Sequence, residues 1–149
     1  MYKHILVSTD GSEVARRGVD HGLALAKALG GKVTILTATE PFPIQATAIG
    51  SGWVATPVDY ERYEQGQKEF AGSVLSTAKA AAEAAGVSAE IVHATDKLPA
   101  AAILEAASSR GCDLIVMASH GRRGVSRLLL GSQTTEVLAN SKVPVLVVR

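Results

Sequence analysis

The chain has 149 residues, of which 47% are hydrophobic, 4% aromatic and 19% charged, as in a globular α/β domain with a core of its own. A formal net charge of +1 excludes the strongly basic surface on which non-specific nucleic-acid binding depends, so we expect no nucleic-acid partner. One cysteine, Cys112, excludes an internal disulfide and a cysteine-based metal site, and we expect it to be a small buried hydrophobe.

The N-terminal sequence enters an apolar run without the charged region and apolar stretch of a signal peptide. No run approaches the roughly 18 apolar residues that a membrane span needs. We therefore expect a cytoplasmic protein without a membrane partner, formed by one domain over residues 1–149.

The first predicted unit is a strand, His4–Thr9, followed by a helix, Glu13–Leu29. The strand is apolar on both faces, which predicts a central position in a parallel sheet. Gly30 and Gly31 end the helix. A second strand, Lys32–Thr39, is rich in β-branched residues and stops before Pro41.

The segment Glu40–Pro57 contains three prolines and no hydrophobic period. Its length exceeds that of an ordinary connection, which is typical of a binding loop, a partner contact or a lid. A plain surface insertion is the alternative.

The rest of the chain continues the alternation of strands and helices. The predicted elements are a helix from Asp59 or Tyr60 to Ala85, a strand Ser88–Thr95, a helix Ala100–Ser109, a strand Asp113–Ala118, a helix Gln133–Asn140 and a strand Val143–Val148. This alternation predicts right-handed crossovers and a three-layer, doubly wound α/β domain with a five-stranded parallel sheet. In such sheets ligands bind beyond the carboxyl ends of the strands, where the strand order reverses.

The stretch from Cys112 to Ser132 has the features of an anion site. An apolar strand ends in a loop that contains Gly121 and Gly124, and a helix begins after Gly131. Glycines let backbone N–H groups approach a ligand, and the first N–H groups of a helix attract anions. The positive charges of this stretch are Arg122, Arg123 and Arg127. The alternative is that the glycines only shape a surface turn and help the helix to pack.

Three segments together resemble the universal stress protein family: the opening Lys3–Ser12, the glycine loop, and the closing Val143–Val148. The family signature is a glycine, two residues, a second glycine, nine residues, and Gly followed by Ser or Thr. Gly121 and Gly131-Ser132 match it, and Ala118 stands at the first glycine position. The resemblance implies an adenine nucleotide alpha-hydrolase-like fold with strand order 3-2-1-4-5, and ATP, with or without Mg²⁺, at the carboxyl edge of the sheet.

The resemblance also implies which residues contact the nucleotide. Near the base and ribose these are Ser8, Thr9, Asp10 and Ala38; bordering the ribose and phosphates, Met117, Ala118, His120 and Gly121; and around the phosphate tail, Arg123, Gly131, Ser132, Gln133 and Thr134. Structural alternatives stay open for three of them. Asp10 can cap the first helix, Met117 can belong to the core, and Ser132 can be the N-cap of its own helix.

Three functions remain open at this point. The first is an ATP-binding, dimeric stress-response regulator with an unidentified protein partner. The second is a structural or interaction dimer without nucleotide, which Ala118 favours. The third is a slow ATPase, for which the sequence offers neither a Walker-type lysine motif nor a nominated catalytic residue. The resemblance implies a homodimer in which Val143–Val148 pairs antiparallel with its copy, an arrangement that would also cover an exposed apolar sheet edge.

Overall fold

The computed structural model describes residues 1–43, 52, 54–122 and 129–149. Five strands form one parallel sheet with the order β3-β2-β1-β4-β5, which confirms the predicted fold. The strands are β1 His4–Ser8, β2 Lys32–Thr39, β3 Ala89–Thr95, β4 Leu114–Ala118 and β5 Val145–Val148; the helices are α1 Glu13–Leu29, α2 Pro57–Ala85, α3 Pro99–Ser109 and α4 Ser132–Asn140.

Two apolar layers cover the sheet. On one face, α1 and α2 pack against alternate strand residues such as Ile5 and Val7. On the other face, α3 and α4 pack around Leu6 and Ile115. Because both faces are covered, four of the five residues of β1 are buried, as its uninterrupted apolar sequence predicts. Cys112 is also buried, and burial raises the pKa of its thiol.

Local capping interactions set the helix ends. Ser12 is the N-cap of α1, where its Oγ accepts a hydrogen bond from the Ala15 N–H (3.3 Å), and Gly30 ends the helix in the left-handed conformation. α2 begins at Pro57, earlier than predicted, because Thr56 and Asp59 form a capping box around its first turn.

The last strand begins later than predicted, at Val145 instead of Val143. The Ser141 hydroxyl accepts a hydrogen bond from the Val143 N–H (3.2 Å) and donates one to the Val143 carbonyl (2.7 Å), so this residue belongs to a turn. Five other ends differ from the prediction by one residue: β1 ends at Ser8, β3 begins at Ala89, α3 at Pro99, β4 at Leu114 and α4 at Ser132.

The structure describes only parts of the predicted 40–57 loop, since residues 44–51 and 53 lie outside the described residues. Its first residues pack on α2. The Phe42 ring lies 4.4 Å from the Tyr60 ring, and the Tyr63 hydroxyl donates a hydrogen bond to the Glu40 carbonyl (2.8 Å). Within the described ranges, no helix is long and apolar enough to cross a membrane.

Candidate functional site

The strand order reverses between β1 and β4, and the carboxyl ends of these neighbouring strands lead into two loops that meet. Asp10, in the loop after β1, joins them. Its Oδ1 accepts a hydrogen bond from the Ser12 N–H (2.9 Å), and its Oδ2 accepts one from the Arg122 N–H (2.8 Å). Because Ser12 caps α1, the alternative that Asp10 is this helix's cap is wrong.

Gly121 lies directly against this carboxylate. A Cβ at this position would be 3.0 Å from Oδ2 of Asp10, so a larger residue would press on the group that holds the two loops together. Gly121 and Arg122 are both exposed at the carboxyl edge. The backbone of the β4 loop is therefore fixed by Asp10 while its outer surface stays open.

The other predicted site residues at the ends of β1 and β2 are buried or half-buried. Thr9 is buried, and its Oγ1 accepts a hydrogen bond from the Gly11 N–H (3.2 Å), so this hydroxyl stabilises its own loop. Ser8 and Ala38 are half-buried at the ends of their strands. Ala38 packs on the α3 side of the sheet.

Met117 and Ala118 end β4, and both are buried. Met117 packs in the core between the sheet and α3, which agrees with its alternative as a core residue. The methyl group of Ala118 packs with Val14 and Ala15 of α1. The methyl carbon that Ala118 has and the signature glycine lacks therefore makes an apolar contact with α1.

Gly131 brings α4 against the end of β4. Its N–H donates a hydrogen bond to the Ser119 carbonyl (2.8 Å), and a Cβ on Gly131 would lie 3.3 Å from the His120 Cα. Gly131 is also the N-cap of α4, which makes Ser132 the first helical residue. The alternative that Ser132 is the N-cap is therefore wrong, and its side chain is exposed.

Two side chains of the first turn of α4 hold the fold together. Thr134 is buried, and its hydroxyl donates a hydrogen bond to the Ala118 carbonyl (3.0 Å). The Gln133 Oε1 accepts a hydrogen bond from the Ala100 N–H (2.9 Å) in the first turn of α3, where the N-cap residue Leu98 offers no side-chain acceptor. Sequence reasoning missed this contact, because its partners are 33 residues apart.

The backbone of this turn remains available. Helix geometry leaves the first N–H groups of α4 without partners inside the helix, and no acceptor elsewhere in the described part of the chain takes those of residues 132–134. The edge therefore offers backbone donors, the Ser132 hydroxyl and the positive end of a helix to an anion.

The remaining predicted residues surround this turn. His120 is half-buried, with its Nδ1 3.1 Å from the Ser119 Oγ. The Arg122 guanidinium lies over the Phe70 ring of α2, 4.6 Å from the ring centre. Arg123, Gly124 and Arg127 lie outside the described residues. The described residues contain no group of three His, Cys, Asp or Glu that could hold a metal ion.

A cavity that the sequence did not indicate lies at the carboxyl ends of β2 and β3, and polar residues line it. It has a volume of about 350 Å³, and its lining includes Thr39, Tyr63, Lys68, His93 and Asp96. The His93 Nε2 lies 2.7 Å from the Thr39 Oγ1, and burial lowers the pKa of this imidazole. The cavity shares the carboxyl edge of the sheet with the loops of β1 and β4.

The model of the universal stress protein family matches residues 1–149. A universal stress protein of Thermus aquaticus, encoded in the QAH/OAS sulfhydrylase 3′ region, is 36% identical over 149 residues, and the match spans all of both chains. The solved structure of MJ0577, a universal stress protein of Methanocaldococcus jannaschii, has a TM-score of 0.81 at 28% identity and covers 99% of this chain and 96% of its own.

A solved universal stress protein in complex with cAMP has a TM-score of 0.70 at 29% identity, with 99% of this chain and 97% of that chain covered. Both matches therefore cover almost the whole of this chain. On the match over its whole length, the chain belongs to the universal stress protein family.

Proposed function

We propose that this protein, as a single domain of residues 1–149, binds ATP or another adenine nucleotide at the carboxyl edge of its sheet. The observation that carries the proposal is the close approach of Gly131 to Ser119 and His120, which opens the N-terminus of α4 beside the end of β4. A related structure of 29% identity that contains cAMP supports an adenine ligand in this fold.

The phosphate tail would bind the first turn of α4. The N–H groups of residues 132–134 and the Ser132 hydroxyl would donate to phosphate oxygens, and the helix dipole would favour the negative charge. Gln133 and Thr134 would act through their backbone, because their side chains are bound elsewhere. Gly121, His120, Arg122 and Arg123 would border the same anion.

The ribose and base would lie toward β1 and β2. Asp10, Thr9 and Ser8 follow or end β1, and Ala38 lies near the end of β2, with Met117 and Ala118 at the end of the neighbouring strand. Mg²⁺ would enter with the nucleotide and keep most of its ligands as phosphate oxygens and water. The proposal includes no catalytic step.

The test begins with the small molecules released by denaturing freshly purified protein, identified by mass spectrometry, followed by calorimetric titration with MgATP. We expect bound ATP or micromolar affinity. Gly131→Asp should abolish binding, because its carboxylate would stand at the phosphate position. Gly131→Ala adds the same Cβ without the charge, and Gly72→Asp adds the charge on an open surface of α2.

Protein that carries no nucleotide and gives no heat with MgATP would contradict this function. It would favour an interaction dimer that has lost nucleotide affinity, for which Ala118 at the first signature position is the supporting observation. Ala118→Gly would then restore binding if the methyl group is the cause. Unchanged binding by Gly131→Asp would contradict the assigned phosphate position.

We propose further that the protein is a homodimer in the cytoplasm and that nucleotide occupancy regulates its contact with a protein partner in the stress response. β5 is an edge strand with Leu146 38% exposed, and Leu138 of α4 is 42% exposed. Pairing of β5 with its copy would satisfy the open edge and cover these side chains.

A further inference from the structure

One face of α2 contacts both loops of the candidate site. Phe70 lies under the guanidinium of Arg122 in the loop after β4. Val74, one helical turn further on, packs against the loop after β1, since a Cβ on Gly11 would lie 2.9 Å from the Val74 Cγ2. Residues four apart share a helix face, so one surface of α2 supports the two segments that Asp10 joins.

Arg122 is held at both ends. Its N–H donates to Asp10, and its guanidinium lies on an aromatic ring, where the ring face attracts the positive charge. In the described ranges, no carboxylate lies within ion-pair distance of this guanidinium. Its side-chain anchor in the structure is therefore Phe70, and the conformation of the residue next to Gly121 depends on a residue of α2.

α2 can act as a firm support at this position. On its inner face, Ala71, Leu75, Ala78 and Ala82 are buried against the sheet. Phe70 and Val74 are neighbours of these anchored residues in the sequence of α2. A loop that leans on this helix loses fewer conformations when a ligand fixes it.

We propose that Phe70 is a positioning residue for nucleotide binding, acting through Arg122, and that this contact couples occupancy of the site to α2. The inference rests on the proposed nucleotide function. If the Phe70–Arg122 contact favours the loop conformation that binds nucleotide, then bound nucleotide must favour the contact by the same factor. Nucleotide binding would thus alter the packing of the middle of α2.

The first measurement is the affinity for MgATP of the wild type, Phe70→Leu, Arg122→Gln and the double variant. We expect Phe70→Leu to weaken binding about two- to five-fold, the effect of losing one exposed cation–π contact. In the Arg122→Gln background the same change should have no further effect. Phe70→Tyr should keep wild-type affinity, because it preserves the ring face.

The matched control is Ala82→Gly, which loosens α2 near its C-terminal end, where Ala82 is fully buried in the core. We expect it to leave the affinity unchanged. A similar loss in this variant would show that any loosening of α2 weakens binding, and would overturn a specific role for Phe70.

The second measurement is hydrogen exchange across residues 66–78 with and without saturating MgATP. Nucleotide should protect this segment in the wild type, and the protection should disappear in Phe70→Leu even when the site is filled. A wild type that does not bind overturns the proposed function and this coupling together. Two outcomes overturn the coupling alone when the wild type binds. One is that Phe70→Leu binds MgATP as tightly as the wild type, and the other is that the losses of affinity in Phe70→Leu and Arg122→Gln multiply in the double variant.

Discussion

Two histidines of this chain are bound to threonines of β2 in surroundings that exclude much of the solvent. The His4 Nε2 lies 2.7 Å from the Thr34 Oγ1, and His93 makes the corresponding contact with Thr39. Burial, aided at His4 by the positive charge of Lys32, lowers the pKa of both imidazoles. The folded state therefore disfavours the protonated form of each ring.

This arrangement predicts a loss of stability in mild acid. The unfolded chain takes up these protons near pH 6.5, whereas the folded chain takes them up only at lower pH, so the free energy of unfolding falls as pH drops below 6.5. Urea unfolding at pH 7.5 and 5.5 measures this. His4→Gln should reduce the difference, and His21→Gln, on the exposed face of α1, should retain it; equal pH dependence in all three proteins would contradict the prediction.

The residues of the site were predictable in type and only partly in role. The motif and the resemblance together pointed to Asp10, Gly121 and Gly131, because family signatures record positions. They did not show that the carboxylate of Asp10 binds two backbone N–H groups or that the Gln133 side chain reaches α3. Such contacts depend on how separate elements pack, which local sequence does not contain.

Among the elements, α1 packs unusually close to the sheet at one point. A Cβ added at Gly22 would collide with Cγ2 of Val7 in β1, although Gly22 lies in the middle of a helix where alanine is intrinsically favoured. On α2, by contrast, a Cβ at Gly66 would meet nothing within 4 Å.

These two glycines predict opposite effects of the same substitution. Gly22→Ala should lower the free energy of unfolding by about 1–3 kcal/mol, because overpacking outweighs helix propensity. Gly66→Ala should raise it by up to about 1 kcal/mol. Chemical denaturation of both variants tests the pair, and stabilisation by Gly22→Ala would show that the helix can move away from Val7.

Most element boundaries followed from local chemistry, and the exceptions have identifiable causes. α1 was predicted at its observed ends, since Ser12 and Gly30 are strong caps. The start of α2 was missed because the Thr56–Asp59 capping box follows a segment that reads as a loop. β5 was predicted too long because Val143 looks like a strand residue while its backbone bonds to Ser141.

At the scale of the whole molecule, the open edge at β5 determines the assembly that we expect. The double variant Leu138→Lys, Leu146→Lys would place two charges on the proposed interface. We expect it to raise the dimer dissociation constant at least about ten-fold, the effect of roughly 1.4 kcal/mol. Sedimentation at several concentrations measures this, with Leu98→Lys as control, because Leu98 is 50% exposed just before α3.

A wild type that sediments as a monomer at all concentrations would contradict the dimer. An unchanged dissociation constant in the double variant would place the interface elsewhere. Far-ultraviolet circular dichroism of the variants distinguishes dissociation from unfolding.

The Gln133–Ala100 hydrogen bond also affects where an anion can go. α3 and α4 both begin at the carboxyl edge of the sheet, so the fold creates two neighbouring helix ends that compete for the same negative charge. The amide oxygen of Gln133 already occupies the end of α3 and leaves its own helix open. In the proposed complex, one neutral side chain would thus resolve the competition, and the phosphate would be directed to a single helix without the use of a charged residue.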